Sequence, residues 1–376
     1  MHIAWIHCRL FPGGALEVFK NLLQKELRKN PNEDFKIFTL IADTDFKEIS
    51  LQIPWTEEIK KIEVIEALPK RLSSLFLYFT HHQIRFFSPL FNYRNLIVFY
   101  PFWMKILSRK IKRYQPEKII ISSFAIAKNI TIPKCCQKTE LYLHSPMQYI
   151  WSHHDEYLKK FTRRKKKIFQ RITPHLRKRD KKYTKFDQIT FNSKYTQELA
   201  KEIYNIEGEV QYPQIDDKFY LAGICRESLP YYVCLGRIVN FVRECKLIIE
   251  VFNELKLPLL MIGSGPDEQY LKSIAWDTII FMGRLNHEET IDILKQAKGL
   301  VNLTKESFWM GTVEALLLGV PVLGLNDGGT KELVDETSGI LINKKEKKNL
   351  KEALIKFENQ AFDRKLISDR IREKIG

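Results

Sequence analysis

The pattern of apolar and polar positions predicts strands that alternate with helices through the second half of the chain. Apolar runs of five to seven residues, rich in β-branched and aromatic side chains, alternate with longer segments whose apolar residues recur at helical spacing. The predicted strands are Tyr231–Gly236, Leu257–Gly263, Thr278–Gly283, Gly299–Thr304 and Pro321–Leu325. Such alternation is typical of parallel sheets, which bind ligands at the carboxyl ends of their strands.

The first half of the chain alternates in the same way, although less regularly. Its predicted strands are His2–His7, Phe35–Ala42, Glu117–Ser123, Thr139–His144 and Gln188–Asn192. Its predicted helices are Leu16–Arg28, Tyr157–Gln170 and Ser193–Tyr204. We therefore predict an α/β protein with two Rossmann-like, doubly wound domains facing a cleft, over residues 1–213 and 214–357. Residues 358–376 are predicted to form a C-terminal helix that crosses back to the N-terminal domain.

The composition is that of a folded cytosolic protein. The chain has 376 residues, of which 44% are hydrophobic and 12% aromatic, and this excludes global disorder. The N-terminus lacks the cationic and apolar regions of a signal peptide, and the longest apolar run, Ala315–Leu325, is too short to span a bilayer. Six cysteines without a Cys-x-x-Cys pair indicate reduced thiols, so we expect a cytoplasmic protein.

Positive charge is concentrated in the first half of the chain. The formal net charge is +16, and residues 1–200 contain 37 Lys and Arg against 18 Asp and Glu. Fourteen of these cations lie in residues 159–185. Such a run is typical of a solvated helix face, a nucleic-acid patch or a surface for anionic lipid headgroups. We favour the membrane surface, because no nucleic-acid motif accompanies the run. Residues 72–103 contain eleven aromatic side chains and suit either a membrane contact or an insertion packed on its own domain.

The segment Lys305–Gly319 has the most informative spacing of chemical groups. Glu306 follows a predicted strand, and Glu314 lies eight residues later in the next predicted helix, whose first turn is near Gly311. Unpaired N–H groups at a helix N-terminus bind phosphate, and carboxylates accept hydrogen bonds from ribose and sugar hydroxyls. The spacing therefore suits a diphosphate that joins a ribose to a sugar.

These residues resemble the signature of the family 4 retaining glycosyltransferases, which is Glu-x7-Glu ahead of Gly-x-Pro, here Gly319 and Pro321. Those enzymes have the GT-B fold and use nucleoside diphosphate sugars as donors. Further segments that resemble the family are Leu235–Arg237, Ile262–Pro266, Phe281–Arg284 and Gly328–Glu332. Similar segments of the first half, some of them like those of O-antigen mannosyltransferases, are Gly13-Gly14, Ile121–Ser123, Ala127-Lys128, Leu143–Trp151 and Asn192-Ser193.

The resemblance implies that the C-terminal domain binds the donor and the N-terminal domain the acceptor. It implies catalytic roles for Glu306 and His144, which orient the sugar, and for Arg237, which binds the diphosphate. The residues that it assigns to donor binding are Glu314, Arg243, Gly311, Thr312, Gly13, Gly14, Gly263, Gly265 and Arg284. GDP-mannose is the first donor expected, with a lipid-linked or polysaccharide acceptor at the inner face of the membrane. Neither a metal ion nor a further cofactor is expected.

Two positions depart from the family pattern. Val242 occupies the usual place of a phosphate-binding Lys, and we expect Arg243 beside it to supply that contact. Trp309 occupies a position where the family usually has glycine. We expect either that its side chain crowds the donor pocket or that Gly311 serves in place of the usual glycine. Alternative functions are a nucleotide-sugar epimerase of the same fold and a non-catalytic basic protein that binds membranes or nucleic acid.

Two further patterns are typical of metal ligands and are discounted. Asp43-Thr44-Asp45 follows the second predicted strand, away from the expected nucleotide site, so we expect a solvated loop. The consecutive side chains of His153–Glu156 point in different directions on a helix or a strand and cannot converge on one ion. We expect the two carboxylates of this segment to cap a helix.

Overall fold

The first half of the chain is built on an eight-stranded sheet. The computed structural model describes residues 1–10, 13–42, 48–52, 59–69 and 99–375. The chain divides into two units, Met1–Gln211 and Tyr212–Gly376. The strands of the first unit are His2–His7 (β1), Arg9–Leu10 (β2), Asp34–Thr39 (β3), Ile41–Ala42 (β4), Glu48–Gln52 (β5), Ile59–Glu66 (β6), Lys118–Ser123 (β7), Lys138–Leu143 (β8), Gln188–Phe191 (β9) and Glu209–Val210 (β10).

The strand order of this sheet reverses at its centre. The order is β10-β9-β8-β7-β1-β3-β6-β5, and neighbouring strands are parallel except for β5 with β6. β2 and β4 form a separate parallel pair. From β1 the chain winds outward through β3 and β6, and from β7 it winds outward the other way. The switch point of the sheet therefore lies between β1 and β7, where doubly wound sheets bind ligands.

Helices pack on both faces of the first sheet. Trp5 and Ile6 point to opposite faces, as successive strand residues must. Trp5 packs against Phe19 of the first helix, whereas Ile6 belongs to the cluster that contains Phe169 and Ala200 of later helices. Among the described residues, the helices of this unit are Gly14–Lys29 (α1), Tyr100–Tyr114 (α2), His154–Lys160 (α3), Arg163–Asp180 (α4) and Lys194–Tyr204 (α5).

The second unit is built on a six-stranded parallel sheet. Its strands are Tyr232–Leu235 (β11), Leu259–Ile262 (β12), Ile279–Gly283 (β13), Gly299–Asn302 (β14), Val322–Leu325 (β15) and Gly339–Ile342 (β16). Their order is β13-β12-β11-β14-β15-β16. Counted within the unit, this is the 3-2-1-4-5-6 order of Rossmann domains. The switch point lies between β11 and β14, which are paired neighbours.

The C-terminal helix packs on residues of the second unit. Ser368 in this helix donates from its hydroxyl to the carbonyl of Leu317 at 2.6 Å. A Cβ on Gly319 would lie 2.4 Å from the carbonyl oxygen of Arg364, so glycine permits this close packing. The helices of the unit are Asp217–Leu221 (α6), Asn240–Arg243 (α7), Cys245–Leu255 (α8), Glu268–Ile274 (α9), His287–Gln296 (α10), Met310–Leu317 (α11), Thr330–Leu333 (α12), Lys347–Glu358 (α13) and Arg364–Ile375 (α14).

The helix predicted over Tyr157–Gln170 is interrupted. Phe161 has an extended backbone, with φ of −78° and ψ of 141°, and this residue and Thr162 separate α3 from α4. The ring of Phe161 packs edge-on against Tyr157 of α3 and Phe169 of α4. These aromatic contacts lie at the break in the predicted helix. Within the described ranges, no helix has the length and apolar character needed to cross a bilayer. Asp43-Thr44-Asp45 and most of residues 72–103 lie outside the described residues.

Candidate functional site

An ion pair joins the segments that follow β11 and β14. Nη2 of Arg243, at the end of α7, lies 3.2 Å from Oε1 of Glu306, which follows β14. The two side chains are 14% and 29% exposed. Because β11 and β14 flank the switch point, the pair lies at the edge where a doubly wound sheet binds ligands. The structure thus brings together two of the residues that the sequence assigns to the donor.

A glycine pair after β15 holds the Glu306 loop in place. The N–H of Gly329 donates to the carbonyl of Glu306 at 2.8 Å. A Cβ on Gly329 would lie 2.3 Å from the carbonyl oxygen of Ser307. A Cβ on Gly328 would lie 2.6 Å from that of Glu306. Glycine at both positions therefore lets the two loops pack closely.

Gly263 and Gly265, in the loop after β12, are required by packing whether or not a donor binds. A Cβ on Gly263, whose φ is +131°, would lie 2.0 Å from the carbonyl oxygen of Gly236. A Cβ on Gly265 would lie 1.9 Å from the carbonyl oxygen of Ile238. The loops after β11 and β12 consequently run in contact along the strand ends.

Arg237 and Arg284 add positive charge to the same edge of the sheet. Arg237 follows β11 and is exposed. Arg284 follows β13, is also exposed, and donates from Nε to the hydroxyl of Ser264 at 2.7 Å. Parallel strands end at one edge, so these cations share that edge with Arg243. Three guanidinium groups favour an anionic ligand there, because they form strong charge-assisted hydrogen bonds with phosphate.

The first turn of α11 contains Gly311 and Thr312. A Cβ on Gly311 would lie 3.1 Å from ring carbons of Trp309, so glycine accommodates that ring. Thr312 is fully buried, and Asn302 donates to its hydroxyl at 3.3 Å and to that of Thr330 at 3.2 Å. The N–H of Thr312 donates to the carbonyl of Trp309 at 3.0 Å. The polar groups of Thr312 are therefore bonded within the unit.

Glu314 lies in α11, partly buried, and its carboxyl group is perturbed. Burial raises the pKa of Glu314 to about 7. The nearby His287 lowers this pKa, whereas the nearby Asp216 raises it. Asp216 and His287 are themselves paired, with 2.8 Å between Oδ2 and Nδ1. Carboxyl groups whose pKa lies near neutrality are concentrated in functional sites. Protonation of Glu314 thus changes over the physiological pH range.

His144 belongs to a buried polar cluster at the switch point of the first sheet. Its Nε2 lies 2.7 Å from the hydroxyl oxygen of Ser122, which lies 3.0 Å from Nδ1 of His7. Burial lowers the pKa of His144 to about 3. Burial also lowers the pKa of His7, and the nearby His144 and Arg9 lower it further. Both imidazoles are therefore neutral at physiological pH, and each offers one donor and one acceptor.

Gly13 and Gly14 lie where α1 begins, after β1. Gly13 has φ of +154°, and a Cβ there would meet no described atom within 4 Å. Unlike Gly263 and Gly265 of the second unit, Gly13 is therefore not required by packing among the described residues. It leaves open space beside the first turn of α1.

The segment His153–Glu156 begins α3. Nδ1 of His153 lies 3.7 Å from Glu156, and Nδ1 of His154 lies 3.1 Å from Asp155. The two carboxylates lie in the first turn, where the helix dipole favours negative charge, although they form no side-chain cap. Across the residues that the structure describes, no three His, Cys, Asp or Glu side chains form a group that could hold a metal ion.

Sequence reasoning missed several partners of the predicted residues. It did not assign roles to His7, which shares Ser122 with His144, or to Asn302, which bonds Thr312. His7 is the last residue of β1 and Asn302 is the last residue of β14, so both lie at the carboxyl ends of parallel strands. A search for polar residues at such strand ends would have found them.

Comparison with known proteins finds similarity over most of the second unit. Residues 226–374 match the family described as "Glycosyl transferases group 1". A curated relative from Corynebacterium glutamicum, a GDP-mannose-dependent monoacylated alpha-(1-6)-phosphatidylinositol monomannoside mannosyltransferase, is 30% identical over 146 residues. The match covers 34% of this chain and 38% of the relative. Residues 226–374 of the second unit are therefore similar to glycosyltransferase group 1 domains.

Solved structures resemble the chain over its whole length. Sucrose-phosphate synthase from Thermosynechococcus elongatus has a TM-score of 0.63 and 15% identity, over 100% of this chain and 94% of that chain. Anabaena Alr3699/HepE, solved in complex with UDP and glucose, has a TM-score of 0.60 and 16% identity, over 100% of this chain and 99% of that chain. At such identities the likeness concerns the fold. It confirms the predicted α/β class, with two Rossmann-like domains of the GT-B type.

Proposed function

We propose that this chain is a retaining, metal-independent hexosyltransferase that moves a hexose from a nucleoside diphosphate sugar to a cell-envelope acceptor. The similarity to group 1 domains and the GT-B neighbours support the transferase class. The observation that carries the proposal is the ion pair of Arg243 with Glu306 at the switch point of the second sheet. A cation suited to a diphosphate and a carboxylate suited to sugar hydroxyls stand there within contact distance.

Each charged group of the second unit has a proposed task at the donor. Arg237 and Arg243 stabilise the negative charge that grows on the diphosphate as it leaves. Glu314 accepts hydrogen bonds from the ribose hydroxyls. Glu306 accepts hydrogen bonds from the transferred sugar and orients it.

The proposed chemistry needs no protein nucleophile. The acceptor hydroxyl attacks the anomeric carbon on the face from which the diphosphate departs, so the configuration of the sugar is retained. The new carbon–oxygen bond forms as the bond to the phosphate oxygen breaks, and a leaving phosphate oxygen takes the hydroxyl proton. His144, neutral because burial lowers its pKa to about 3, hydrogen-bonds the transferred sugar without adding charge.

GDP-mannose is the proposed donor to test first. The resemblance to O-antigen mannosyltransferases and the 30% identity to a GDP-mannose-dependent enzyme support it. A UDP-sugar is the next choice, because Alr3699/HepE was solved with UDP.

We also propose that residues 159–185 bind an anionic membrane surface, and that the chain works at the cytoplasmic face of the inner membrane. The five consecutive cations Arg163–Lys167 at the start of α4 are exposed, and the apolar Ile168 beside them is 59% exposed. Each basic residue close to an anionic surface contributes about 1 kcal/mol. This surface would hold the chain near a lipid-linked acceptor.

A transfer assay tests the proposed reaction. Purified protein is incubated with GDP-mannose and membrane lipid extract in the presence of a chelator, and products are identified by mass spectrometry and anomeric NMR. Glu306→Ala is expected to lose turnover, and Glu314→Ala to lose donor binding. Glu352→Gln, an exposed carboxylate of α13, is the control and should transfer normally. Wild-type transfer by both Ala variants would contradict the assignment, and epimer formation from the donor alone would replace it.

Vesicle binding tests the membrane surface. The wild-type chain should sediment with vesicles that contain phosphatidylglycerol and not with pure phosphatidylcholine vesicles. Replacing Lys165–Lys167 by Glu should abolish this difference. The same charge change at three exposed lysines of the second unit, Lys344, Lys348 and Lys356, should preserve it. Equal binding to both vesicle types would mean that the basic run is only a solvated helix face.

A further inference from the structure

Arg243 lies in a slot formed by three neighbours in the second unit. Its guanidinium carbon stands 5.3 Å from the centre of the Trp309 ring, and Nη1 lies 3.4 Å from the carbonyl oxygen of Leu235. Gly236 is the third neighbour. A Cβ on it would be 2.8 Å from Nη1, and its φ of +114° also favours glycine. A larger residue at this position would displace the guanidinium group.

The Trp309 side of the slot is rigid. Trp309 is 8% exposed and belongs to the apolar cluster that contains Val313 and Leu316 of α11. Its ring carbons lie 3.1 Å from the place of a Cβ on Gly311, so a larger residue there would press on the ring. A ring held in the core fixes the cation that rests against its face. Trp309 therefore lies beside Arg243 as a support.

The backbone explains why Arg243, and not the residue before it, reaches the slot. Glu244 is left-handed, with φ of 53° and ψ of 34°, so α7 ends at Arg243 and α8 begins anew at Cys245. Val242 precedes this break. The interruption brings the last side chain of α7 to the Glu306 loop.

The ion pair occupies groups that the proposed reaction needs. Nη2 of Arg243 is bonded to Oε1 of Glu306, so the carboxylate has one acceptor site fewer for a sugar hydroxyl and is held towards the guanidinium group. A diphosphate carries more negative charge than one carboxylate and offers more acceptor oxygens, so it is the stronger partner for a guanidinium group.

We propose that Trp309 is a positioning residue that holds Arg243 for the donor diphosphate, and that the diphosphate displaces Glu306 from Arg243. This inference rests on the proposed function. Binding of the diphosphate then releases Glu306 to accept hydrogen bonds from the sugar. The carboxylate gains its full acceptor capacity when a donor phosphate is in place, so the phosphate contact favours the sugar contact.

The first test removes the support of Arg243. The probe is whichever of GDP, UDP and ADP binds the full wild-type chain in calorimetry, compared with its phosphate-free nucleoside. Trp309→Gly should weaken diphosphate affinity about tenfold and leave nucleoside affinity unchanged, whereas Trp309→Phe should retain affinity within about threefold. Adding Trp309→Gly to Arg243→Gln should cause no further loss. If Trp309→Gly weakens diphosphate affinity and nucleoside affinity equally, Trp309 has a structural role only. The same conclusion follows if the double variant loses a further tenfold in diphosphate affinity relative to Arg243→Gln.

The second test examines the exchange and leaves Trp309 intact. Glu306→Gln should bind the same nucleoside diphosphate about threefold more tightly, because Arg243 no longer has a competing carboxylate. The gain should disappear in the Arg243→Gln background, which separates exchange from simple charge repulsion. Weaker binding by Glu306→Gln, or an unchanged gain without Arg243, would overturn the exchange.

The outcomes also separate this inference from the proposed function. If none of the three nucleoside diphosphates binds the wild-type chain, the proposed function and the inference both fail. If one binds and the variants behave as wild type, only the inference fails.

Discussion

Donor binding is expected to strengthen about tenfold when the pH rises from 6 to 8, because Glu314 ionises in that range. Burial raises the pKa of this carboxyl group to about 7. With that value, about 9% of the molecules carry the carboxylate at pH 6 and about 91% at pH 8. The ionised form accepts hydrogen bonds from both ribose hydroxyls, so affinity falls as the pH drops through 7. The ratio of the two populations gives the tenfold change.

Calorimetric titration with GDP-mannose at pH 6, 7 and 8 measures this change. A sugar nucleotide is preferable to GDP, because both of its phosphates are esterified and keep their charge in this range. Glu314→Gln should bind about a hundredfold more weakly than wild type at pH 8 and should lose the pH dependence, because the tenfold change requires that the neutral form contributes little to binding. Asp216 and His287, which face Glu314, remain in that variant. A tenfold rise that persists in Glu314→Gln would assign the titration to another group and refute the reasoning.

Three further predictions concern the buried supports of the fold and site. Asp180→Ala removes the carboxylate that lies 2.8 Å from Nζ of Lys128, a lysine that is 1% exposed. This change should reduce the free energy of unfolding in urea by about 3–5 kcal/mol. A loss below about 1 kcal/mol would mean that the lysine finds another partner. Gly329→Ala should lower donor affinity and melting temperature together, since its Cβ enters the Glu306 loop, and unchanged values would exclude that contact. Ser122→Ala leaves two imidazole nitrogens unbonded and should cost about 2–4 kcal/mol in chemical denaturation, whereas Ser122→Thr should stay close to wild type.

The sheet topology made the positions of the main site residues predictable. Alternating strands and helices predict parallel sheets, and parallel sheets collect their strand ends at one edge. Glu306 and Arg243 could therefore be expected near each other although 62 residues separate them in the chain. The six-stranded sheet is doubly wound, as predicted, and its switch point lies between β11 and β14.

The partners of these residues could not be predicted, because they depend on packing between distant segments. Thr312 had the residue type and position of a phosphate contact, yet Asn302 bonds its hydroxyl. Trp309 was expected to crowd the donor pocket or to leave the role of the usual glycine to Gly311. Its contact with Arg243 could not be foreseen. The left-handed residue Glu244, which ends α7, has no distinctive sequence signal, since glycine or asparagine usually takes that conformation.

The central claim is that the switch point of the second sheet binds a sugar nucleotide. Calorimetric titration of the full chain with GDP-mannose and UDP-glucose at pH 8 tests it most directly. At least one of the two should bind the wild-type chain saturably, and Arg237→Gln should weaken that binding at least tenfold. Lys348→Gln, a charge change of equal size on α13, should leave it unchanged. Absence of binding by both nucleotides, or equal affinity for the wild type and Arg237→Gln, would contradict the claim.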